Sequence, residues 1–154
     1  MAVVTKYSQA HPDPSTNSRP KGIDKAGRVN SAIATLAVAN GDSANSKLYV
    51  AKVPSWARIA PISTIRHSAI TSLNDLDFGS DDDPDGLADG LDVSSAGTKS
   101  AVAAVAVGNL HKRLWELLGL AKDPVKEISL YLTMKAAATA AGTIQVELYF
   151  ITEQ

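Results

Sequence analysis

The tightest constraint on the fold lies near the C-terminal end, where two segments alternate apolar and polar residues with a period of two. In 126–135, Ile128, Leu130, Leu132 and Met134 fall on one face, and Glu127, Ser129, Tyr131, Thr133 and Lys135 on the other. Residues 143–151 repeat the pattern, with Ile144, Val146, Leu148 and Phe150 on one side and Gln145 and Glu147 on the other. Successive side chains of a strand point to opposite faces, so an extended backbone gathers each set into one apolar row. The small-residue link 136–142 joins the two segments, and the pattern predicts a C-terminal antiparallel hairpin with one buried face.

Shorter apolar segments precede it. Ala32–Val38 ends before Asn40-Gly41-Asp42, Lys47–Val53 before Pro54, and Arg58–Ile70 follows. In Asn74–Phe78 the Leu and Phe share one face and the Asp residues the other, and Gly79 closes the segment. Strand-length runs at this spacing predict an all-β sandwich or barrel. One helix interrupts the pattern, with Asn109 as N-cap, Leu110, Leu114, Leu117 and Leu118 at helical spacing, and Gly119 and Pro124 as stop signals. The alanines and valines of Ala101–Val107 read as a buried strand.

Upstream of residue 29 the character changes. Ser8–Lys25 holds three prolines among Ser, Thr and Asn and almost no large apolar side chain, a composition that forms no core face. The expected organisation is an extended N-terminal arm over 1–28 and a single β-sandwich domain over 29–154. With 154 residues and no Cys, the chain is long enough to bury roughly 70% of its unfolded surface without disulfides. It carries no thiol nucleophile and no Cys-ligated zinc. Fifteen Lys and Arg balance sixteen Asp and Glu, so there is no net field of the kind that draws nucleic acid. No apolar run approaches a membrane span, and Met1–Lys6 leads into polar sequence, so the expectation is a soluble product without a secretory leader.

The loudest local signal is acidic. Residues 71–92 contain eight Asp and no Lys or Arg. Asp81, Asp83, Asp85 and Gly86 match the first half of a calcium loop, with Asp89 and Asp92 at its ninth and twelfth places. Pro84, and an Asp where a bidentate Glu is usual, argue instead for a solvated acidic hairpin that guards a sheet edge. His11, His67 and His111 lack metal-motif neighbours, and the chain has no nucleophile elbow or phosphate-cradling loop. No cofactor and no enzyme activity are expected. Trp115 beside the leucine stripe reads as core, whereas Trp56, at a turn after Pro54-Ser55, reads as core or as an interface residue. The arm is basic, with Lys6, Arg19, Lys21, Lys25 and Arg28 against Asp13 and Asp24. Together with Tyr7 and Trp56 these cations are the candidate contacts to a larger surface or a neighbouring copy.

Several segments together carry a resemblance: ATLAVANGDSANSKLYVAKVPSWARI, DLDFG followed by LADGLDVSSAG, RLWELLGL with AKDP after it, and AAATAAGTIQVELYFI. They resemble the head decoration or cement proteins of tailed bacteriophages, over roughly Ile33 to Phe150. The resemblance implies a jelly-roll-like antiparallel β-sandwich that binds the outer surface of a capsid and stabilises it by bridging neighbouring major capsid proteins. It further implies synthesis in the host cytoplasm and contact with copies of itself as a dimer or trimer, with neither nucleic acid nor membrane as partner. The competing readings are a receptor- or glycan-binding sandwich of a phage tail or adhesin, for which two Trp, four Tyr and two Phe are a thin supply, and a calcium-dependent adhesion module.

Overall fold

The structure, a computed structural model, describes residues 3–7 and 29–152. Its strands are β1 (Thr5–Tyr7), β2 (Val29–Val38), β3 (Lys47–Pro54), β4 (Arg58–Ile59), β5 (Thr64–His67), β6 (Leu76–Gly79), β7 (Gly97–Ser100), β8 (Glu127–Met134) and β9 (Gly142–Ile151), with one helical turn, α1 (Leu114–Leu117). They form a β-sandwich. One sheet runs β1-β3-β8-β6 and the other β2-β9-β5-β7, with β4 also on β9. Among these strands all pairings are antiparallel except β1 on β3. A single core cluster fills the space between the sheets.

The two C-terminal segments are strands as expected, but they are not a hairpin. β8 lies between β3 and β6 in one sheet, and β9 lies between β2 and β5 in the other. Paired side by side, their apolar rows would lie on one surface still needing a cover. Placed in opposite sheets, Ile128, Leu130, Leu132 and Met134 are buried against a core that also takes Ile144, Val146, Leu148 and Phe150. The link between them crosses the top of the sandwich, where Ala138 exchanges backbone hydrogen bonds with the Asn40–Asp42 turn, Gly41 N–H donating to Ala138 O at 2.9 Å and Ala138 N–H to Asp42 O at 3.0 Å. β8 is a central strand with both faces covered, since Tyr131 and Thr133 on its outer side are buried as well.

Four further expectations are corrected. The Arg58–Ile70 segment is broken into β4 and β5 by the Pro61-Ile62 loop, because Pro61 has no amide to give a ladder. The Ala101–Val107 strand is absent. β7 ends at Ser100, opposite the first residue of β5, so no strand remains to pair with it, and the backbone turns on itself through Val105 N–H to Val102 O and Asn109 N–H to Ala106 O. The helix starts not at Asn109 but after Arg113, whose extended backbone (ψ 157°) separates a 3-10 turn at Val107–Asn109 from α1. Glu116 Oε2 accepts the Arg113 N–H at 2.8 Å, and Leu114 and Leu118 are buried under the core. Asp77, expected on an exposed face of β6, is buried too, with its carboxylate 3.5 Å from Lys135 Nζ and accepting Gly90 N–H.

The N-terminal strand is held by one charge cluster. Buried Asp42 accepts Ala39 N–H at 2.9 Å and Lys6 Nζ at 2.6 Å, while Lys6 also donates to Ala37 O. Burial opposes the Asp42 charge, but the Lys6 and Ala39 hydrogen bonds outweigh it and hold its pKa below the ordinary 3.8. His67, buried with Nε2 lacking a hydrogen-bond partner among the described residues, has its pKa pushed below 6.5 by burial. In both groups the unfolded chain binds more protons than the folded one in the window just below the ordinary pKa, so stability falls as pH falls. Denaturant melts are therefore expected to lose stability in two steps, the first below about pH 6.5 as His67 titrates and the second below about pH 4 as Asp42 titrates together with Asp81, Asp92 and Asp123, whose pKa values are also lowered. The His67→Gln variant should lack only the first step, and a flat profile between pH 7 and 5 in the parent chain would remove this assignment.

Candidate functional site

Apolar residues are left in solvent mainly at one end of the sandwich. This end is built from the start of β2, the β3–β5 connection, residues 101–126 and the end of β9. Hydrogen bonds tie these pieces together: Ala60 N–H to Tyr149 O, Ala101 N–H to Ser63 O, Leu114 N–H to Ala57 O and Ser55 N–H to Lys126 O. Among the described residues, seven large apolar side chains stand exposed, and five of them belong here: Val29, Ile62, Val107, Val125 and Ile151. Val29 and Ile151 are cross-strand partners. Val107 is 86% exposed at the tip of a loop whose Ala103, Ala104, Ala106 and Gly108 are exposed as well. Isolated exposed apolar residues are ordinary, but their concentration at one end makes that end the candidate interaction surface.

Val125 is the most constrained of them. It is 74% exposed and its φ is +50°, a left-handed conformation that costs a β-branched residue about 1–2 kcal/mol. A polar network holds it there. Asp123 Oδ1 accepts both Ser55 Oγ–H and Val125 N–H, and Ser55 Oγ accepts Lys126 N–H. The Ser55 hydrogen bond, with that from Val125, lowers the Asp123 pKa, so the network stands while Asp123 is charged. Ser55 is fully buried and Trp56, next to it, is half-buried. Of the contact candidates that the sequence points to, Trp56 is thus the one placed at this end among the described residues.

Lys6 is engaged within its own chain by Asp42, and Arg19, Lys21, Lys25, Arg28 and the Tyr7 side chain lie outside the described residues. The five Asp of the candidate calcium loop are not gathered into one site. Asp81 takes the Lys47 ammonium at 2.8 Å and the Tyr131 hydroxyl at 3.0 Å, and Lys47 lies 4.3 Å over the Tyr131 ring. That bond to Lys47 lowers the Asp81 pKa and raises the Lys47 pKa. Asp83 has its pKa raised by burial and by neighbouring Asp85, Asp89 stands exposed beside Asp77, and Asp92 accepts Ser94 N–H. Among the described residues no three His, Cys, Asp or Glu side chains are grouped so as to hold a metal ion. A thermal melt is expected to be the same in calcium and in chelator, and a rise in melting temperature with calcium would reverse that reading.

Sequence reasoning missed Val29, Ile62, Val107, Val125 and Ile151. Two signals were present: the unbroken apolar run of 101–107 beside turn residues, and a Pro within the Arg58–Ile70 segment. The strain at Val125 has no sequence signature.

No protein-family model matches the sequence, and no curated protein matches it. Two solved structures share the fold. A chain of the capsid of Ralstonia phage GP4 superposes with a TM-score of 0.67 at 15% identity, over 97% of this chain and 99% of that one. A chain of the cyanophage Pam1 capsid asymmetric unit gives a TM-score of 0.60 at 13% identity, over 92% of this chain and 100% of that one. Both likenesses span the whole sandwich with little left over on either side, so the fold of this chain is one found in chains of two phage capsids.

Proposed function

We propose that this chain is a structural virion protein that binds the outer surface of a phage capsid and stabilises it by bridging neighbouring major capsid proteins, with no catalytic activity of its own. The observation that carries the reading is the two-way coverage of the GP4 capsid chain, 97% of this chain and 99% of that one. The apolar end supports it, because a shell-bound protein needs a surface to leave water. In this reading the 29–154 sandwich is the rigid body and the 1–28 arm, with Arg19, Lys21, Lys25 and Arg28, adds contacts to the shell or to a neighbouring copy. Many weak contacts repeated over a shell combine through effective concentration, so none need be tight alone.

The test is co-sedimentation of the purified full-length chain with phage shells that lack it, with copy number read by gel densitometry. The expected result is saturation at a fixed stoichiometry compatible with capsid symmetry, together with a raised temperature of shell disruption. A well-folded chain that stays in the supernatant would overturn the proposal.

A further inference from the structure

We infer that β1 is an exchangeable strand, and that where copies stand side by side the groove along the β3 edge takes the β1 of a second copy. The inference rests on the proposed virion role, which is what brings copies together, and adds to it the segment and the groove through which they link.

The groove is built by one continuous stretch of the sandwich. β1 pairs in parallel with the start of β3, Thr5 opposite Lys47 and Tyr7 opposite Tyr49. Just before it, Val4 N–H donates to Ser46 Oγ at 3.2 Å, and Val4 O accepts Lys47 N–H at 3.1 Å. Lys6 Nζ donates to Asp42 at 2.6 Å and to Ala37 O. All of these partners lie within residues 37–49, so the groove is complete in a sandwich from which the arm has been withdrawn. Leaving it empty is unfavourable. Asp42 is buried, and among the described residues Lys6 is the cation that pairs with it. Withdrawing Lys6 leaves a buried carboxylate short of its partner and bares the edge of β3. The same strand from another copy meets both demands, with every contact reproduced. That identity selects the occupant, because a strand of a different protein would need a Lys in this register, whereas a second copy carries one.

The length of chain behind β1 puts a neighbour's groove within reach. Residues 8–28 separate Tyr7 from Val29, and a segment of that length extends to at most about 70 Å. β2, at ten residues, measures about 33 Å, so the connection reaches roughly twice the length of one of the longest strands. Pro12, Pro14 and Pro20 within it favour extended backbone over a tight return. Since the contacts in the two grooves are the same, spacing decides between them, and the fixed neighbours of a shell raise the effective concentration of the second groove.

The chain has no Cys, so the junction is open to cross-linking. Full-length Thr5→Cys and Lys47→Cys chains are mixed, bound to shells that lack the chain, and treated with a short bismaleimide. The expected product is a covalent dimer of one chain of each kind, linked through the two introduced cysteines, as read by mass spectrometry. Adding Lys6→Ala to the Thr5→Cys chain should reduce that dimer about tenfold, the effect of losing one charged hydrogen bond. A dimer left unchanged by Lys6→Ala would come from proximity alone and would overturn the inference. Should Lys47→Cys fail to fold, Tyr7→Cys with Tyr49→Cys reads the same junction, since these two residues are also partners. If the variants bind shells and no mixed dimer forms, each strand stays in its own groove, and the exchange is overturned while the virion role stands. Failure of the parent itself to bind shells would overturn the virion role, and the exchange with it.

Discussion

Replacing Gly79 with alanine is expected to lower stability by about 3 kcal/mol, in the range of severe overpacking, and the melting temperature by roughly 10 °C. A Cβ built on Gly79 would lie 2.1 Å from Asp83 O and 2.6 Å from Pro84 C, both backbone atoms. No rotamer can relieve such a contact, so either β6 or the acidic loop must move. The loop is folded back tightly: Ser80 N–H donates to Asp83 O, Phe78 N–H to Ala88 O and Leu87 N–H to Phe78 O. Its displacement would break the Asp81 bonds to Lys47 and Tyr131 and open the edge of the sheet over fully buried Phe78 and Leu87. Hydrogen exchange should quicken at the Phe78 and Leu87 amides before it does in β9. A melting temperature within about 2 °C of the parent would show that the loop yields freely, and would sink the close-packing account.

The same loop shows what is legible in the sequence and what is not. Its acidity and its turn residues are plain, and the period-2 rows of β8 and β9 place every inward residue on the correct side. Their partners are not legible. A hairpin and a pair of strands in opposite sheets demand the same alternation, and the 136–142 link is long enough for either. What decides is that β3 and β2 are available to flank them, a contact between residues about seventy to over a hundred positions apart. Local pattern carries no trace of such pairings. The leucine stripe behaves alike: Leu114 and Leu118 reach the core as expected, but Arg113 breaks the helix to a single turn because the chain there is tied to Ala57 and Ser55.

The candidate site is less visible still. Charged arm residues are conspicuous in a sequence, whereas the apolar end is assembled from four separate stretches that only the fold brings to one place. Alanine and valine in a row usually mean burial, which is the expectation for Val107. It is exposed because β7 stops at Ser100 and the next residues have no strand to pair with. Trp56 bridges the two levels: its turn position is legible, and its neighbour Ser55 anchors the network that holds Val125.

Adjacent residues at the end of β9 give the sharpest separation of fold from function. Phe150 and Ile151 differ by one position and so point to opposite faces: Phe150 is fully buried, whereas Ile151 is 38% exposed beside Val29. Phe150→Ala removes a whole ring from the core at a central strand and is expected to cost about 3–5 kcal/mol, enough to leave a domain of ordinary stability barely folded. Ile151→Ser changes only the outer face and is expected to cost no more than about 1 kcal/mol. The order should invert in binding to shells. On the proposed virion role, Ile151→Ser, with a near-parental melt, loses part of the exposed apolar end, while whatever fraction of Phe150→Ala remains folded at low temperature keeps that end and binds with parental affinity per folded molecule. A larger destabilisation by Ile151→Ser than by Phe150→Ala would mean that the β9 register is shifted by one residue, which would turn the core row outward and remove the basis of the whole sandwich.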